Sequence, residues 1–97
     1  MKIEEVKSGM NNVEVEGVVV DKEKPKKINT RYGPALLSKA KIEDETGGIG
    51  LNLWRDQVNL VEMGDKVKIE GAFAKTFKDQ LELNLGRDSK VTVLEKE

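Results

Sequence analysis

Trp54, Phe73, Phe77 and Tyr32 are the only aromatic residues in a chain of 97, and basic residues are threaded among them. Lys75 lies between the two phenylalanines, Lys78 follows the second, and Arg31 precedes Tyr32. A flat ring can accept a nucleobase face for roughly 1 to 3 kcal/mol per base, and ammonium groups attract phosphates. These residue types in this order therefore suit an unpaired nucleic-acid strand. The competing use is core packing, where a tryptophan more often goes. The choice depends on which way each ring faces, and so on the elements that carry it.

The composition narrows the chemistry further. The chain has no cysteine and no histidine, which removes the thiolate nucleophile, the imidazole base and the commonest transition-metal ligands. No enzyme, metal or cofactor is expected. Lys+Arg 17 against Asp+Glu 18 gives a net charge of −1. That near-neutral total hides an asymmetry. Residues 22 to 41 hold Lys22, Lys24, Lys26, Lys27, Arg31, Lys39 and Lys41 against Glu23 alone, so the rest of the chain is acidic. A basic segment on an acidic body suits an anionic partner approaching one side, although a solvated lysine-rich loop has the same composition. No apolar run reaches the roughly 18 residues of a membrane span, and Met1 to Met10 lack a signal-peptide core, so a cytosolic, membrane-free protein is expected. The length suits one domain, residues 1 to 97.

Period-two alternation dominates the chain. Val13, Val15, Gly17 and Val19 predict a first strand, long and curved, with a bulge or bend at Gly17. Ile3, Val6 and Met10 before it predict a short turn that packs on something larger. Pro25, Gly33 and Pro34 predict a loop or loose hairpin tip over residues 23 to 34. A second strand, about Ala35 to Asp44, puts Ser38, Ala40 and Ile42 on one face and Leu37, Lys39 and Lys41 on the other. The turn through Gly47-Gly48 leads into a third strand with Ile49, Leu51 and Leu53 inward. Asp56 is the expected cap of a short helix carrying Val58 and Val61, with Gly64 just past its end. A fourth strand starts near Lys66 and is interrupted at Gly71. Leu81, Leu83 and Leu85 mark a fifth. After a turn at Gly86-Arg87-Asp88, Val91, Val93 and Leu94 close the domain.

Five strands, two hairpins and a short helix between the third and fourth strands match an all-β, five-stranded Greek-key barrel, the OB-fold. An SH3-like barrel has a similar strand count but lacks that helix. With Ile49, Leu51 and Leu53 inward, Trp54 must share the outer face with Gly50 and Asn52, an open platform for stacking. Parity groups Phe73 with Val67 and Ile69 inside, unless a bulge at Gly71 turns it out. Phe77, beside a polar loop, and Tyr32, in the basic loop, are outward candidates.

The string Asp44-Glu45-Thr46-Gly47, the alternation ending Leu53-Trp54, the Gly64-Asp65-Lys66-Val67 segment, and Phe73 and Phe77 ahead of Leu81-Glu82-Leu83-Asn84 resemble archaeal single-stranded-DNA-binding proteins and the OB modules of archaeal replication protein A. The likeness runs from Val6 to Val93. It implies single-stranded DNA lying across the outer face of strands two and three, between the loops after strands one and four. It further implies Trp54, Phe73 and Phe77 as stacking residues. Lys26, Lys27, Arg31, Lys39 and Lys41 would contact phosphate, with Arg55, Lys75 and Lys78 as further contacts.

The reading is thus a non-enzymatic, largely sequence-independent single-stranded DNA binder of replication, recombination or repair, with other OB modules or replication and repair proteins as its expected partners. The alternatives are an OB module that docks a protein partner in an aromatic groove, and RNA or tRNA binding on the same face. Gly47, Gly48 and Gly50 are not followed by Lys-Ser/Thr and read as turn residues rather than a phosphate loop. Glu43, Asp44 and Glu45 alternate between faces and form no metal site.

Overall fold

The alternation around Val13 becomes β1 (Val13–Lys22), whose Val13, Val15, Gly17 and Val19 are buried while the intervening residues face solvent. In the computed structural model, which describes residues 1–86 and 88–96, six more strands follow. They are β2 (Lys26–Thr30), β3 (Gly33–Asp44), β4 (Gly47–Trp54), β5 (Lys66–Phe77), β6 (Gln80–Asn84) and β7 (Lys90–Glu95). Five of the seven form a closed ring in the order β1, β3, β4, β6, β5 and back to β1. Every pairing in the ring is antiparallel except β4 with β6, which run parallel. This is the OB-fold barrel, and closure leaves no open edge within the ring.

Its interior holds Ile42, Leu51, Leu53, Ile69 and Leu83, with Val13, Val15, Val19 and Val67, all almost completely buried. Each such side chain contributes roughly 1.5 to 3 kcal/mol by leaving water. Short 3₁₀ turns pack on this core at opposite ends of β4. Ile3 and Val6 come from the first, Ile3–Glu5, and its Ile3 N–H donates to Asp44 Oδ2 at 2.9 Å beside the β3–β4 turn. Val58 and Val61 come from the second, Arg55–Asn59, and the residues just after it.

Three expectations change. The segment expected as a loop or loose hairpin tip over residues 23 to 34 is a regular hairpin whose first arm carries the lysines: β2 pairs with β3 from Lys26 against Leu37 to Thr30 against Gly33. Lysine on an outlying strand keeps that edge from pairing with other chains, so a polar, charged strand is physically reasonable here. β7 likewise adds to β5 outside the ring. The element between β4 and β5 is a single 3₁₀ turn, and Gln57 rather than Asp56 secures its start, its Oε1 accepting from Trp54 N–H at 3.0 Å. Gly64, at φ 93, turns the chain into β5 instead of ending that element. The turn expected at Gly86-Arg87-Asp88 lies partly outside the described residues.

Two glycines set the curvature. A Cβ on Gly17 would stand 2.8 Å from the Glu43 carbonyl oxygen, so β1 and β3 approach this closely only without a side chain there. At Gly71 the backbone takes φ 70, and the β1–β5 register skips: Val15 faces Ile69 but Val13 faces Ala72. The extra residue on β5 is a bulge, and it reverses the inward parity from Val67 and Ile69 to Ala72 and Ala74.

Candidate nucleic-acid interface

The register builds one continuous outer face across β3, β4, β6 and β5, because directly paired residues point to the same side. One row runs from Lys39 through Asn52 and Asn84 to Phe73. The next runs from Lys41 through Gly50 and Glu82 to Lys75, and Leu37 stands beside Trp54 at the margin. Phe77 pairs with Gln80 at the end of β5.

Trp54 is on this face, as its parity demands, and is half-buried. The indole stands where two hollows meet. One, about 320 Å³, is bounded by Trp54 and Phe77 with Leu37, Lys39, Lys75 and the polar row of Asn52, Glu82 and Asn84. The other, about 530 Å³, joins Trp54 to Tyr32, Arg55, Gln57, Leu85 and Gly86.

The phenylalanines are both displayed. Phe77 is 53% exposed and Phe73 39%, so the Gly71 bulge decides the question that parity left open. Phe73 stands beside Asn84, its ring edge 4.0 Å from the position a Gly86 Cβ would take. Tyr32, 83% exposed, caps the β2–β3 hairpin.

The basic residues divide by position. Lys39 Nζ lies 4.8 Å from the centre of the Phe77 ring and 3.3 Å from Glu82 Oε2, and Lys78 Nζ lies 5.5 Å from the same ring. Lys75 is exposed on the wall of the smaller hollow. Lys41 is exposed and pairs with Glu43 at 3.7 Å. Lys26 pairs with Leu37 and so shares the face of Trp54, whereas Lys27 pairs with Leu36 and points to the other side of the ribbon. Arg31 and Arg55 are exposed at the hairpin tip and after Trp54, Arg55 with φ 55. The face thus joins rings, cations and a polar floor along a shallow track.

Sequence reasoning missed that floor. Asn52 and Glu82 occupy outward positions yet are each 8% exposed. Asn52 Nδ2 donates to Glu82 Oε1 at 3.1 Å and to Asn84 Oδ1 at 3.0 Å. The available clue was the missing side chain at Gly50 beside them, which leaves room for Glu82 of the neighbouring strand to lie over it.

Residues 7–93 match the family model described as "Single-stranded DNA binding protein Ssb-like, OB fold". The chain belongs to this Ssb-like OB-fold family. It is 34% identical over 90 residues to the single-stranded DNA binding protein Ssb of Saccharolobus solfataricus, and 27% identical over 95 residues to replication factor A of Methanothermobacter thermautotrophicus. The aligned parts cover 93% and 94% of this chain but 61% and 12% of those proteins, so the chain spans only part of the relatives it matches. The solution structure of a replication factor A related protein from Methanobacterium thermoautotrophicum superposes with a TM-score of 0.82 at 26% identity, covering 98% of this chain and 90% of that one. Among the described residues no helix is long and apolar enough to cross a membrane.

Proposed function

We propose that this chain binds single-stranded DNA across the β3–β4–β6–β5 face, with little dependence on overall sequence, and that it serves replication, recombination or repair as an OB module without catalytic activity. The observation that carries the reading is the place of Trp54 between two hollows, one leading to Phe77 and the other to Tyr32. Successive bases stack on Trp54, Phe77 and Phe73, with Tyr32 reached from the hairpin. Lys75, Lys78, Lys26 and Lys41 attract the phosphates, and Arg55, Arg31 and Lys27 reinforce the field from the margin. Family membership supports the same substrate.

The test is a fluorescence titration, since the protein has one tryptophan. Oligo-dT added at low salt quenches Trp54 emission, and added sodium chloride reverses it. An unquenched signal at saturating oligonucleotide overturns the reading. Quenching that resists salt would instead favour an apolar groove for a protein partner, because only phosphate binding releases counterions.

A further inference from the structure

Beneath the aromatic track lies a carboxylate that phosphate attraction does not account for. Glu82 is on the floor of the hollow between Trp54 and Phe77 and is nine-tenths buried. Its Oε1 is held by Asn52 Nδ2, and its Oε2 lies 3.3 Å from Lys39 Nζ. The side chain lies over Gly50, where a Cβ would come within 3.1 Å of Glu82 Cγ. Asn84 borders the same hollow, and because its Oδ1 accepts from Asn52, its own amide N–H groups remain as donors beside the carboxylate. Among the described residues, no donor reaches the buried Asn52 Oδ1. A negative charge under a site for a polyanion weakens binding, unless it recognises something.

Lys39 indicates what that is. Its ammonium occupies two places at once, over the Phe77 ring and against Glu82. A base that stacks on that side of Phe77 displaces the ammonium, which then moves toward the backbone phosphate. Glu82 loses its cationic donor, and a buried acceptor left unmatched is costly. The incoming base must therefore bring an N–H. Cytosine offers its N4 amino group to the carboxylate, the recognised carboxylate–cytosine pairing, with N3 alongside to accept from the Asn84 amide. Thymine and uracil present a carbonyl at position 4, and their one ring N–H is flanked by carbonyl oxygens that repel a carboxylate.

We propose that this hollow is a base-reading subsite in which Glu82, held by Asn52 and flanked by Asn84, selects cytosine over thymine or uracil at one position of an otherwise sequence-tolerant track. The inference rests on the single-stranded DNA reading above, and its test separates the two.

Anisotropy titrations compare oligo-dC with oligo-dU of equal length at pH 8, where cytosine is neutral; the two lack the thymine methyl and differ only at the recognised edge. The wild type binds dC about tenfold more tightly, in the range of a good base contact. In Glu82→Gln the side chain still accepts from Asn52 but turns an amide donor to the base, and the dC/dU ratio falls to about one or inverts. Equal affinity in the wild type, or a preference that survives Glu82→Gln, overturns the subsite and leaves DNA binding standing. A wild type that binds neither oligomer overturns both. The carboxyl 13C shift of Glu82 in the unsubstituted protein reads the same contact without a variant: it moves on adding dC and stays near its free position with dU, and equal movement with both overturns the assignment.

Discussion

Lys39 holds its ammonium 4.8 Å from the centre of the Phe77 ring while touching Glu82 at 3.3 Å, so one cation both neutralises the floor and covers a face of that ring. At a partly exposed site a cation–π contact contributes about 0.5 to 1 kcal/mol. The ion pair is not a surface one, because the Glu82 carboxylate is nearly buried, so the ammonium can leave it only if another donor takes its place. Lys39→Ala therefore uncovers Phe77 while leaving Glu82 unneutralised. Oligo-dT affinity falls by more than fivefold at low salt, measured by anisotropy, and the loss shrinks when Glu82→Gln is added.

Trp54→Ala removes the ring shared by both hollows. Loss of one stacked base weakens oligonucleotide binding by roughly 1 to 3 kcal/mol, about five- to 150-fold. The indole is outside the barrel core, so the thermal midpoint moves far less than for Leu51→Ala, which opens a cavity costing about 2 to 5 kcal/mol. Parallel melting curves and titrations distinguish the two variants.

Lys75 is exposed on the wall of the smaller hollow, and Lys27 faces away from it. If Lys75 contacts phosphate, Lys75→Ala lowers the slope of log K against log salt by about 0.7, the value for one single-strand contact. Lys27→Ala lowers it by less. Titrations from 50 to 300 mM sodium chloride measure both slopes.

How much of this could be read from sequence varied by element. Ile49, Leu51 and Leu53 alternate so cleanly that the inward face of β4, and with it the outward face of Trp54, follows from period two alone. The basic arm β2 was hidden because Pro25 and a run of lysines look like a loop until β3 lies beside them to pair. Phe73 was ambiguous for a definite reason. Its face depends on the extra residue at Gly71, and a bulge is a property of the pairing rather than of the strand. Period two puts Asn52, Glu82 and Asn84 on outward positions, where alternation alone predicts exposure. Asn52 and Glu82 become buried, with Asn84 half-buried beside them, only because β4 and β6, about thirty residues apart in the chain, pair in parallel.

Gly71 has φ 70, and a Cβ there would stand 3.3 Å from the Asp88 carbonyl oxygen. Gly71→Val places a branched side chain in a left-handed conformation that costs it about 1 to 2 kcal/mol before any clash. The expected result is a lower urea midpoint together with weaker DNA binding, as the strand relaxes toward the register that would turn Phe73 inward. A midpoint equal to the wild type contradicts the role given to this bulge.

Asp44 ties the β3–β4 turn to the N-terminal segment. Its Oδ1 accepts from the Thr46 hydroxyl at 2.6 Å and Thr46 N–H at 2.7 Å, and its Oδ2 from Ile3 N–H at 2.9 Å. The Thr46 hydroxyl first, and then the Ile3 amide, hold its pKa at about 2 instead of 3.8. The folded state thus prefers the ionised form. Its stabilisation is complete above pH 3.8 and disappears as pH falls through about 2. Asp44→Asn is less stable than the wild type at neutral pH, and the gap narrows over that acid interval in denaturant titrations followed by circular dichroism.

Closure of the ring also links recognition to kinetics. Val13 meets Ala72, and the polar floor forms only once the strand from Gln80 settles between β4 and β5. Of these pairings only β4–β6 and β1–β5 are non-local, since β6 follows β5 through a tight hairpin; such long closures are entropically expensive and place small all-β domains in the millisecond-to-second folding range. A half-assembled chain consequently offers no competent surface to a ligand. Ligand therefore stabilises the completed molecule alone, and saturating oligonucleotide raises its melting temperature by mass action.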